Sequence, residues 1–493
     1  MIEAQYAVVD NIAVITLHNP PVNGLCFELR ISLLEQLNRA NLDNGVQAIL
    51  LIGDNDVFCA GADIRQMNTQ QYWNYPRTID LAKVLDNIPK LSVAIIGKFA
   101  MGGGMELALG CHYRMCLSNS KLAQPEIKLG LLPGGGGILR LPRLLGIETA
   151  SHFLLNGQPI EGETALKIGL VDALAPPGTQ QSLLEKGLAW TRKLLNEDFP
   201  LRRICDMKID SKNNEILFHQ LKKIYCKPSA GLAPCVIVNS LEQAMLLGFD
   251  ETYIVSDQAT AELMSGIESE ALRYLFFAQR DALKIYSVES GAIQKELSVH
   301  WCGIYDQACF DLFQKQLIHC EHVSVDVNFD ASLFECSVLI RSYENSNLVE
   351  IVTHHQNHPT TQQLIKYLKL QNKIPIYSNR LNSSLMQPML DAFLRAHEEM
   401  IYLGLDGQQF QKYLEDWGFE FTFPTCPGNP AAINTKITFE HAMQVMLAAI
   451  VDQGNKLIIL GHVLHKSDLD LVWVCGFRFP AFRGGPFFKV QTE

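Results

Sequence analysis

The sequence predicts an α/β protein in which a mainly parallel sheet domain is followed by largely helical chain. Between Tyr6 and Ile52, strand-like runs alternate with a helix-like run, an order that favours parallel pairing. The 493 residues exceed one ordinary hydrophobic core, so we expect two or three domains. After Leu195, apolar residues recur at helical spacing with little proline or glycine up to about Gln294.

Composition narrows the class of protein. Hydrophobic residues make up 48% and charged residues 19%, as in folded proteins with sizeable cores. The net charge of -11 argues against nucleic acid and anionic membranes as general partners, and no apolar run reaches the roughly 18 residues that span a bilayer. The thirteen cysteines include no C-x-x-C pair, and we find no signal segment or S-K-L terminus, so we expect reduced thiols and a cytoplasmic location.

The first elements follow from local patterns. Tyr6–Leu17 predicts a hairpin that turns at Asp10-Asn11, because β-branched residues lie on both sides. Asn19–Gly24 predicts a rigid loop, Phe27–Asp43 a helix, and Ala48–Ile52 a buried strand. This order gives one α/β unit.

A stretch of small residues follows that strand, reading FCAGADI from Phe58 to Ile64. Ala60, Gly61 and Ala62 would let a ligand touch the main chain, and the Ala62 amide stands at the start of a predicted helix. This amide is a candidate donor to an oxyanion, although such a turn by itself is more often ordinary loop chemistry.

A second stretch carries two glycine-rich breaks. Val93–Ala100 predicts a strand, Gly102–Gly104 a turn, and Met105 the opening of a helix, after which a second strand and a second glycine-rich loop follow. Helix N-terminal amides favour negative charge, so the Gly103 amide could hold an oxyanion, a donor worth about 3 to 4 kcal/mol.

Two glutamates, Glu106 and Glu126, stand close to these breaks, where a carboxylate can be held against a ligand. The stretch alone also allows a structural interpretation. The glycines would then permit tight helix-on-sheet packing, and Glu106 would complement a helix N-terminus.

Four motifs in this order resemble the enoyl-CoA hydratase/isomerase (crotonase) family. They are NPPVNGL at 19–25, FCAGADI at 58–64, AMGGGMELALGC at 100–111 and AQPEIKLGLLPGGGG at 123–137. The resemblance implies a crotonase-type spiral of ββα units over residues 1–195 and an acyl-CoA substrate.

Carried over by position, the resemblance makes the amides of Ala62 and Gly103 the oxyanion donors and makes Glu106 and Glu126 the acid/base pair. The further substrate-binding positions are Ala60, Gly61, Asp63, Ile64 and Gly104. The implied reaction is hydration of 2-enoyl-CoA in fatty acid β-oxidation. Isomerisation of 3-enoyl-CoA is a second implied activity, for which Glu126 alone would suffice. Burial or the neighbouring charge should raise the pKa of at least one glutamate.

Residues 196–296 form a predicted helical linker region. Within it, Glu270–Lys284 fits an amphipathic packing helix and also resembles the linker helix of multifunctional fatty acid β-oxidation enzymes. In those enzymes a 3-hydroxyacyl-CoA dehydrogenase follows, which implies a Rossmann-like domain over 297–378 and a helical domain over 379–493.

The dehydrogenase resemblance is incomplete at its dinucleotide-binding turn. Gly303 fits the first glycine of G-x-G-x-x-G, but Tyr305 stands at the second and Ala308 at the third. Tyr305 would obstruct a pyrophosphate and Asp306 would repel it, so we expect no NAD binding.

The catalytic histidine is also missing. Asn347–Val352 resembles the stretch whose glutamate orients that histidine, and counting back reaches Val338. Ser378–Leu381 and Asp468–Pro486 do resemble the helical domain, but only about eighty residues separate Ser298 from Ser378, so the Rossmann-like segment is shortened. We expect the dehydrogenase-like half to be inactive.

Other functions stay open at this point. A bifunctional hydratase and NAD-dependent dehydrogenase is one alternative, and an inactive acyl-CoA-binding scaffold is another. His354, His355 and His358 could be metal ligands, but a polar loop is the simpler interpretation, and we assign no metal. We expect a monomer without a redox cofactor.

Overall fold

The computed structural model describes residues 2–175, 182–210, 214–283, 297–302, 323–326, 337–343, 346–353, 361, 364–365, 368–369, 371–380, 384–424 and 437–488. They form two compact units, Met1–Ser269 and Glu270–Glu493. The predicted α/β class is confirmed, since both units contain a sheet and helices.

The strands of the first unit build two sheets. In chain order they are β1 (Glu3–Val9), β2 (Ile12–His18), β3 (Ala48–Gly53), β4 (Leu91–Ile96), β5 (Phe99–Met101), β6 (Tyr113–Cys116), β7 (Lys121–Ala123), β8 (Ile160–Glu161) and β9 (Ala173–Leu174). The larger sheet has the order β1-β2-β3-β4-β6-β9, antiparallel in the predicted β1–β2 hairpin and parallel elsewhere. The hairpin turns at Asp10 and Asn11, both with positive φ, as a tight two-residue turn requires.

The first unit also contains helices. They are α1 (Phe27–Leu42), α2 (Gln70–Trp73), α3 (Thr78–Asn87), α4 (Gly103–Gly110), α5 (Gly137–Leu145), α6 (Ile147–Asn156), α7 (Gly162–Lys167), α8 (Leu183–Asn196), α9 (Asn214–Tyr225), α10 (Leu232–Leu246) and α11 (Phe249–Ser265). The boundary between the two units falls within the next helix, α12 (Ile267–Ala282). The predicted first helix is α1, whose Leu29, Leu33 and Leu37 are buried at helical spacing.

Three predicted boundaries are wrong. The strand predicted over Val93–Ala100 is two strands, because the main chain at Gly97 passes so close to Asp56 that a Cβ would overlap the Asp56 carbonyl oxygen. The second helix begins at Gly103 rather than Met105, since Gly102 with φ 50° is its N-cap. Ala62 precedes a short 3-10 turn rather than a helix.

The expectation of reduced thiols throughout is also wrong. Cys226, directly after α9, and Cys235 in α10 form a disulfide with 9 residues of separation. The two thiols meet because α9 and α10 bring them together across the turn that connects the helices. The pair therefore has no C-x-x-C spacing by which the sequence could reveal it.

The second unit contains a mixed sheet and helices. Its strands are β10 (Leu297–Cys302), β11 (Val323–Asp326), β12 (Ser337–Ser342), β13 (Leu348–Val352) and β14 (Ile374–Ser378), in the order β11-β10-β12-β13-β14 with only the β12–β13 pair antiparallel. Its helices after the sheet are α13 (Met386–Tyr402), α14 (Gly407–Trp417), α15 (Phe439–Ile459) and α16 (Lys466–Leu471). Their core is aromatic, with Trp473 packed edge-on against Phe393 and Phe477.

Two features are absent from the part of the chain that the structure describes. No helix there has the length and apolar character to cross a bilayer. No group of three or more His, Cys, Asp or Glu side chains there is arranged as a metal site. Gly303, Tyr305, Asp306, Ala308 and the histidines at 354, 355 and 358 lie outside the described residues.

Candidate active site

The first glycine turn brings two main-chain amides side by side. Gly103 is the first residue of α4, where amides have no partner within the helix. A Cβ built on Gly103 would lie 3.3 Å from the Ala62 nitrogen, and one built on Gly61 would lie 3.3 Å from the Gly103 nitrogen. Among the described residues, neither the Ala62 nor the Gly103 amide has an acceptor. Two adjacent unpaired donors of this kind can hold a developing oxyanion.

Glu106 is buried in the first turn of α4, only 3% exposed. The Gly137 amide donates a hydrogen bond to its Oε1 at 2.8 Å, and a Cβ on Gly135 would overlap its Oε2. The second glycine-rich loop therefore wraps around this carboxylate. Burial raises the pKa of Glu106 to about 7, against the opposing effects of the Gly137 amide and the Arg140 charge.

Glu126 is half-buried and opens the 3-10 turn Glu126–Leu129 behind Pro125. Its carboxylate lies against the first glycine turn, because a Cβ on Gly102 would be 2.8 Å from Oε1. Burial raises the pKa of Glu126 well above its ordinary value, and the negative charge of Glu106 raises it further. Two carboxyl groups that interact in this way titrate as a coupled pair.

Gln124 is a contact of Glu126 that the sequence did not reveal. Its side chain is buried, and with its nitrogen facing Glu126 the amide donates to both carboxylate oxygens at 3.0 Å. The only signal in the sequence is its place two residues before Glu126.

A cavity joins most of the predicted site residues. It contains roughly 890 Å³ of empty space, including the part open to solvent, and its wall includes Ala60, Gly61, Ala62, Ile64, Gly103, Glu106 and Glu126. Two predicted substrate-binding residues are not in this wall. The Asp63 carboxylate caps the 3-10 turn and pairs with Arg65 at 2.9 Å, while Gly104 packs against Cys59, whose carbonyl oxygen would be 2.6 Å from a Cβ.

Part of the wall comes from residues that the sequence patterns missed. Thr78, Tyr72 and Arg30 line the cavity, as do Thr260 and Met264 of α11. The last two lie far beyond the motif stretches, and no local pattern marks them. They reach the site because α11 packs back against the motif-bearing part of the same unit.

The second unit contains a buried carboxylate with a different environment. Glu350 of β13 is fully buried and accepts hydrogen bonds from the Tyr343 hydroxyl at 3.0 Å and the Leu385 amide at 3.2 Å. Its partner across the strands is Arg341, with an ion pair at 3.3 Å, so the residue that faces Glu350 is not Val338, the position reached by counting along the chain. A guanidinium stays protonated and cannot serve as a general base.

Comparison with known proteins supports the motif interpretation. Residues 8–221 match the family described as enoyl-CoA hydratase/isomerase. The peroxisomal bifunctional enzyme of Danio rerio is 35% identical over 296 residues, which is 59% of this chain and 40% of that protein. The fatty acid oxidation complex subunit alpha of Shewanella sp. (strain MR-4) is 33% identical over 302 residues, covering 58% and 42%. The matched part thus spans about two fifths of these curated relatives.

One solved structure is also similar. The structure of Pseudomonas aeruginosa OdaA aligns with 55% of this chain and 98% of that chain, at 23% identity and a TM-score of 0.42. At that score the likeness adds nothing to the fold described above.

Proposed function

Because residues 8–221 carry an enoyl-CoA hydratase/isomerase domain, we propose that this protein adds water across the double bond of 2-enoyl-CoA thioesters in fatty acid β-oxidation. One observation carries the proposal. Two glutamates with raised pKa values and two unpaired main-chain amides line the same cavity. The names of the two relatives, a peroxisomal bifunctional enzyme and a fatty acid oxidation subunit, support the pathway.

The two amides act on the thioester oxygen. When a nucleophile adds at C3, negative charge develops on that oxygen, and the Ala62 and Gly103 amides would each stabilise it by about 3 to 4 kcal/mol. Both amides belong to ordered turns of the main chain, so little reorganisation is needed as the charge develops.

The two glutamates divide the proton transfers. The ionised Glu106 takes a proton from water as the water oxygen bonds to C3, and the protonated Glu126 gives its proton to C2. The product is the 3-hydroxyacyl thioester, and the pair has exchanged its single proton. We assign the acid role to Glu126 because burial and the charge of Glu106 both raise its pKa.

The direct test is hydration of crotonyl-CoA, followed as loss of the enoyl-thioester absorbance. We expect turnover without any added cofactor. The control is the Glu106→Gln/Glu126→Gln double variant, purified in the same way. Any activity it shows comes from a contaminating hydratase. Activity of the natural chain no higher than that of the double variant would contradict the proposal.

Isomerisation needs one carboxylate that moves a proton from C2 to C4. The position of Glu126 against the glycine turn at Gly102 supports this role. Incubation with a 3-enoyl-CoA, with the 2-enoyl and 3-hydroxyacyl products separated by chromatography, tests the activity. Glu126→Gln should abolish it.

We propose that no redox cofactor takes part. Support comes from the second unit, where Arg341 rather than a histidine faces Glu350. The residues present there do not fit a hydride transfer that needs a base at this position. Mixing the protein with NAD and a 3-hydroxyacyl-CoA tests this, because NADH formation would establish the bifunctional alternative.

Two further expectations stay predictions. The cytoplasmic location is one, since one relative named above is peroxisomal and Cys226 is in a disulfide. Fractionation of cells with an antibody against the chain measures it. The monomeric state is the other, and light scattering of the purified protein measures it.

A further inference from the structure

The NPPVNGL motif forms most of the loop between β2 and α1, and we call this stretch the motif loop (residues 19–25). It lies along the turn that carries the Ala62 amide, because Leu25 and Ala62 pair in parallel, as residues of neighbouring strands do. The Leu25 amide donates a hydrogen bond to the Gly61 carbonyl oxygen at 2.8 Å. The proton transfers proposed above use no group of this loop, so the motif needs another explanation.

The hydrogen bond from Leu25 fixes the direction of the Ala62 N–H. Gly61 and Ala62 share one planar peptide unit, which is trans. In such a unit the C=O and the N–H point in opposite directions, so a partner on the Gly61 oxygen also orients the Ala62 amide. This amide lies beside the first turn of α4, where a Cβ built on Gly103 would be 3.3 Å from the Ala62 nitrogen. The motif loop thus orients one of the two amides that we assign to the thioester oxygen.

The two amides that precede Ala62 in this turn have acceptors within the protein. The Ala60 amide donates to the Val22 carbonyl oxygen of the motif loop at 3.0 Å, and the Gly61 amide donates to the Cys59 sulfur at 3.3 Å. Of these three consecutive amides, only that of Ala62 has no acceptor among the described residues. The contacts of the turn therefore leave the Ala62 amide available to a ligand.

Asn23 anchors the motif loop. Its side chain is buried, 2% exposed, and the side-chain nitrogen donates to the carbonyl oxygens of Val57 at 2.6 Å and Asp54 at 3.2 Å. The side-chain oxygen accepts from the Asn19 amide at 3.0 Å. Asparagine suits this position because it carries both a donor and an acceptor, and because it tolerates the φ of 50° found here better than most residues do. One side chain thus joins the motif loop to the turn after β3.

We propose that Asn23 is a positioning residue for the hydration reaction. It holds the motif loop in place, and the Leu25 amide of that loop aims the Ala62 N–H at the thioester oxygen. Asn23 itself is not part of the cavity wall, so it acts on the substrate only through this series of contacts. The inference rests on the proposed hydratase function and adds a residue that orients one of its oxyanion donors.

The first experiment measures kcat and KM of Asn23→Gly with crotonyl-CoA. Glycine keeps the positive φ and removes only the side chain, so the motif loop loses its anchor without backbone strain. We expect kcat to fall by about tenfold or more, since removing a whole oxyanion donor costs about 10² to 10³-fold and here one donor is misdirected. KM should stay nearly the same, because the donor acts mainly in the transition state.

The control is Asn55→Gly. Asn55 also has a positive φ, 56°, and lies in the turn that Asn23 holds, but its side chain is exposed. The kcat of this control should equal that of the natural chain. An unchanged kcat in Asn23→Gly, or a fall that Asn55→Gly shows equally, would overturn the proposal, and so would a change in KM alone.

A second variant tests the contact itself and also serves if Asn23→Gly does not fold. An ester in place of the main-chain amide of Leu25 removes the N–H that donates to Gly61 and keeps every side chain. We expect a similar loss in kcat, about tenfold or more. Full activity of this ester variant would show that the motif loop does not orient the Ala62 amide.

A spectroscopic measurement separates the inference from the proposed function. The carbonyl stretch of a saturated acyl-CoA, labelled with carbon-13 at the thioester carbonyl, is recorded by infrared difference spectroscopy, which needs no turnover. Hydrogen bonds from the Ala62 and Gly103 amides should lower this frequency on binding. The lowering should be smaller in Asn23→Gly than in the natural chain or in Asn55→Gly, whereas a merely structural role of Asn23 would leave it unchanged.

The two proposals can then fail separately. A smaller lowering of the carbonyl frequency in Asn23→Gly supports the inference even if the natural chain does not hydrate crotonyl-CoA. Equal lowering in both chains, in a preparation that does hydrate crotonyl-CoA, would overturn the inference and leave the hydratase function standing.

Discussion

The two units of this chain place buried carboxylates in opposite surroundings. In the first, Glu106 and Glu126 border a cavity that also contains unpaired main-chain amides. In the second, Glu350 and Asp470 are fully buried, and their oxygens accept hydrogen bonds from other groups of the protein. The Asp470 carboxylate accepts from the Tyr274 hydroxyl and from the Phe487 amide, both at 2.8 Å.

Burial raises the pKa in all of these groups, so the pKa alone does not separate them. What separates them is the space in front of the oxygens. A carboxylate that borders a cavity can exchange a proton with a bound ligand, whereas the oxygens of Glu350 are already bonded to Arg341 and Tyr343. Free volume and unpaired donors therefore distinguish the two carboxylates for which we propose a catalytic role.

The largest expected effect is on catalysis in the first unit. Glu106→Gln and Glu126→Gln should each lower kcat for crotonyl-CoA hydration by about 10² to 10⁴-fold, because a positioned acid or base contributes that much. The loss of enoyl-thioester absorbance with time measures kcat. Glu350→Gln in the second unit is the matched control and should leave the rate unchanged. Full activity of either cavity variant would show that the two-glutamate assignment is wrong.

The next effect is on the stability of the second unit. Glu350→Ala removes the ion-pair partner of the half-buried Arg341 and the acceptor of the buried Tyr343 hydroxyl, which should lower the free energy of unfolding by about 1 to 3 kcal/mol. Hydrogen exchange of peptides from β12 and β13 in increasing urea measures this. Glu420→Ala is the control, because Glu420 is exposed and lies 3.8 Å from the exposed Arg478. Similar losses in both variants would contradict the prediction.

A smaller effect tests the support of Glu126. Gln124→Met removes a donor to the ionised carboxylate, which raises the pKa of Glu126 further and misplaces its oxygens. We expect kcat to fall about tenfold, as for the loss of one hydrogen bond to a charged group, and the high-pH limb of the rate profile to move upward. Gln158→Met is the control, since Gln158 forms an exposed bond with Lys128. An unshifted pH profile would remove the role of Gln124.

The last expected effect is the pH dependence of stability that comes from Asp470. Burial raises the pKa of this carboxyl from 3.8 to about 7 in the folded state. The folded unit therefore holds the proton more tightly than the unfolded chain, so its stability falls as pH rises between these two values, by up to about 1.4 kcal/mol per pH unit.

Asp470→Asn should remove this contribution to the pH slope. Urea unfolding at several pH values between about 4 and 7, followed by hydrogen exchange of peptides near α16, measures the slope. Asp452→Asn is the control, because Asp452 is exposed and pairs with Lys456. Equal slopes for the natural chain and Asp470→Asn would contradict the assignment.

The sequence by itself determined the features that depend on local backbone geometry. Only a few residue types adopt the positive φ angles of the turn at Asp10-Asn11 and of the glycine turn before Gly103. The two glutamates lie within the same glycine-rich motifs. Hence the α/β class, the family resemblance and the site residues Glu106, Glu126, Ala62 and Gly103, which all line the cavity, follow from the order of residues alone.

The tertiary structure decided everything that joins distant segments. The loop at Gly135 encloses Glu106, α11 brings Met264 to the cavity, and Arg30 meets the carbonyl of Tyr72. Strand register shows the limit most clearly, because counting along the chain reaches Val338 while the pairing of β12 with β13 places Arg341 opposite Glu350. Counting residues along the chain assumes a length for the turn between β12 and β13. The register of the two strands is instead set by packing, which depends on contacts between segments that are distant in the sequence.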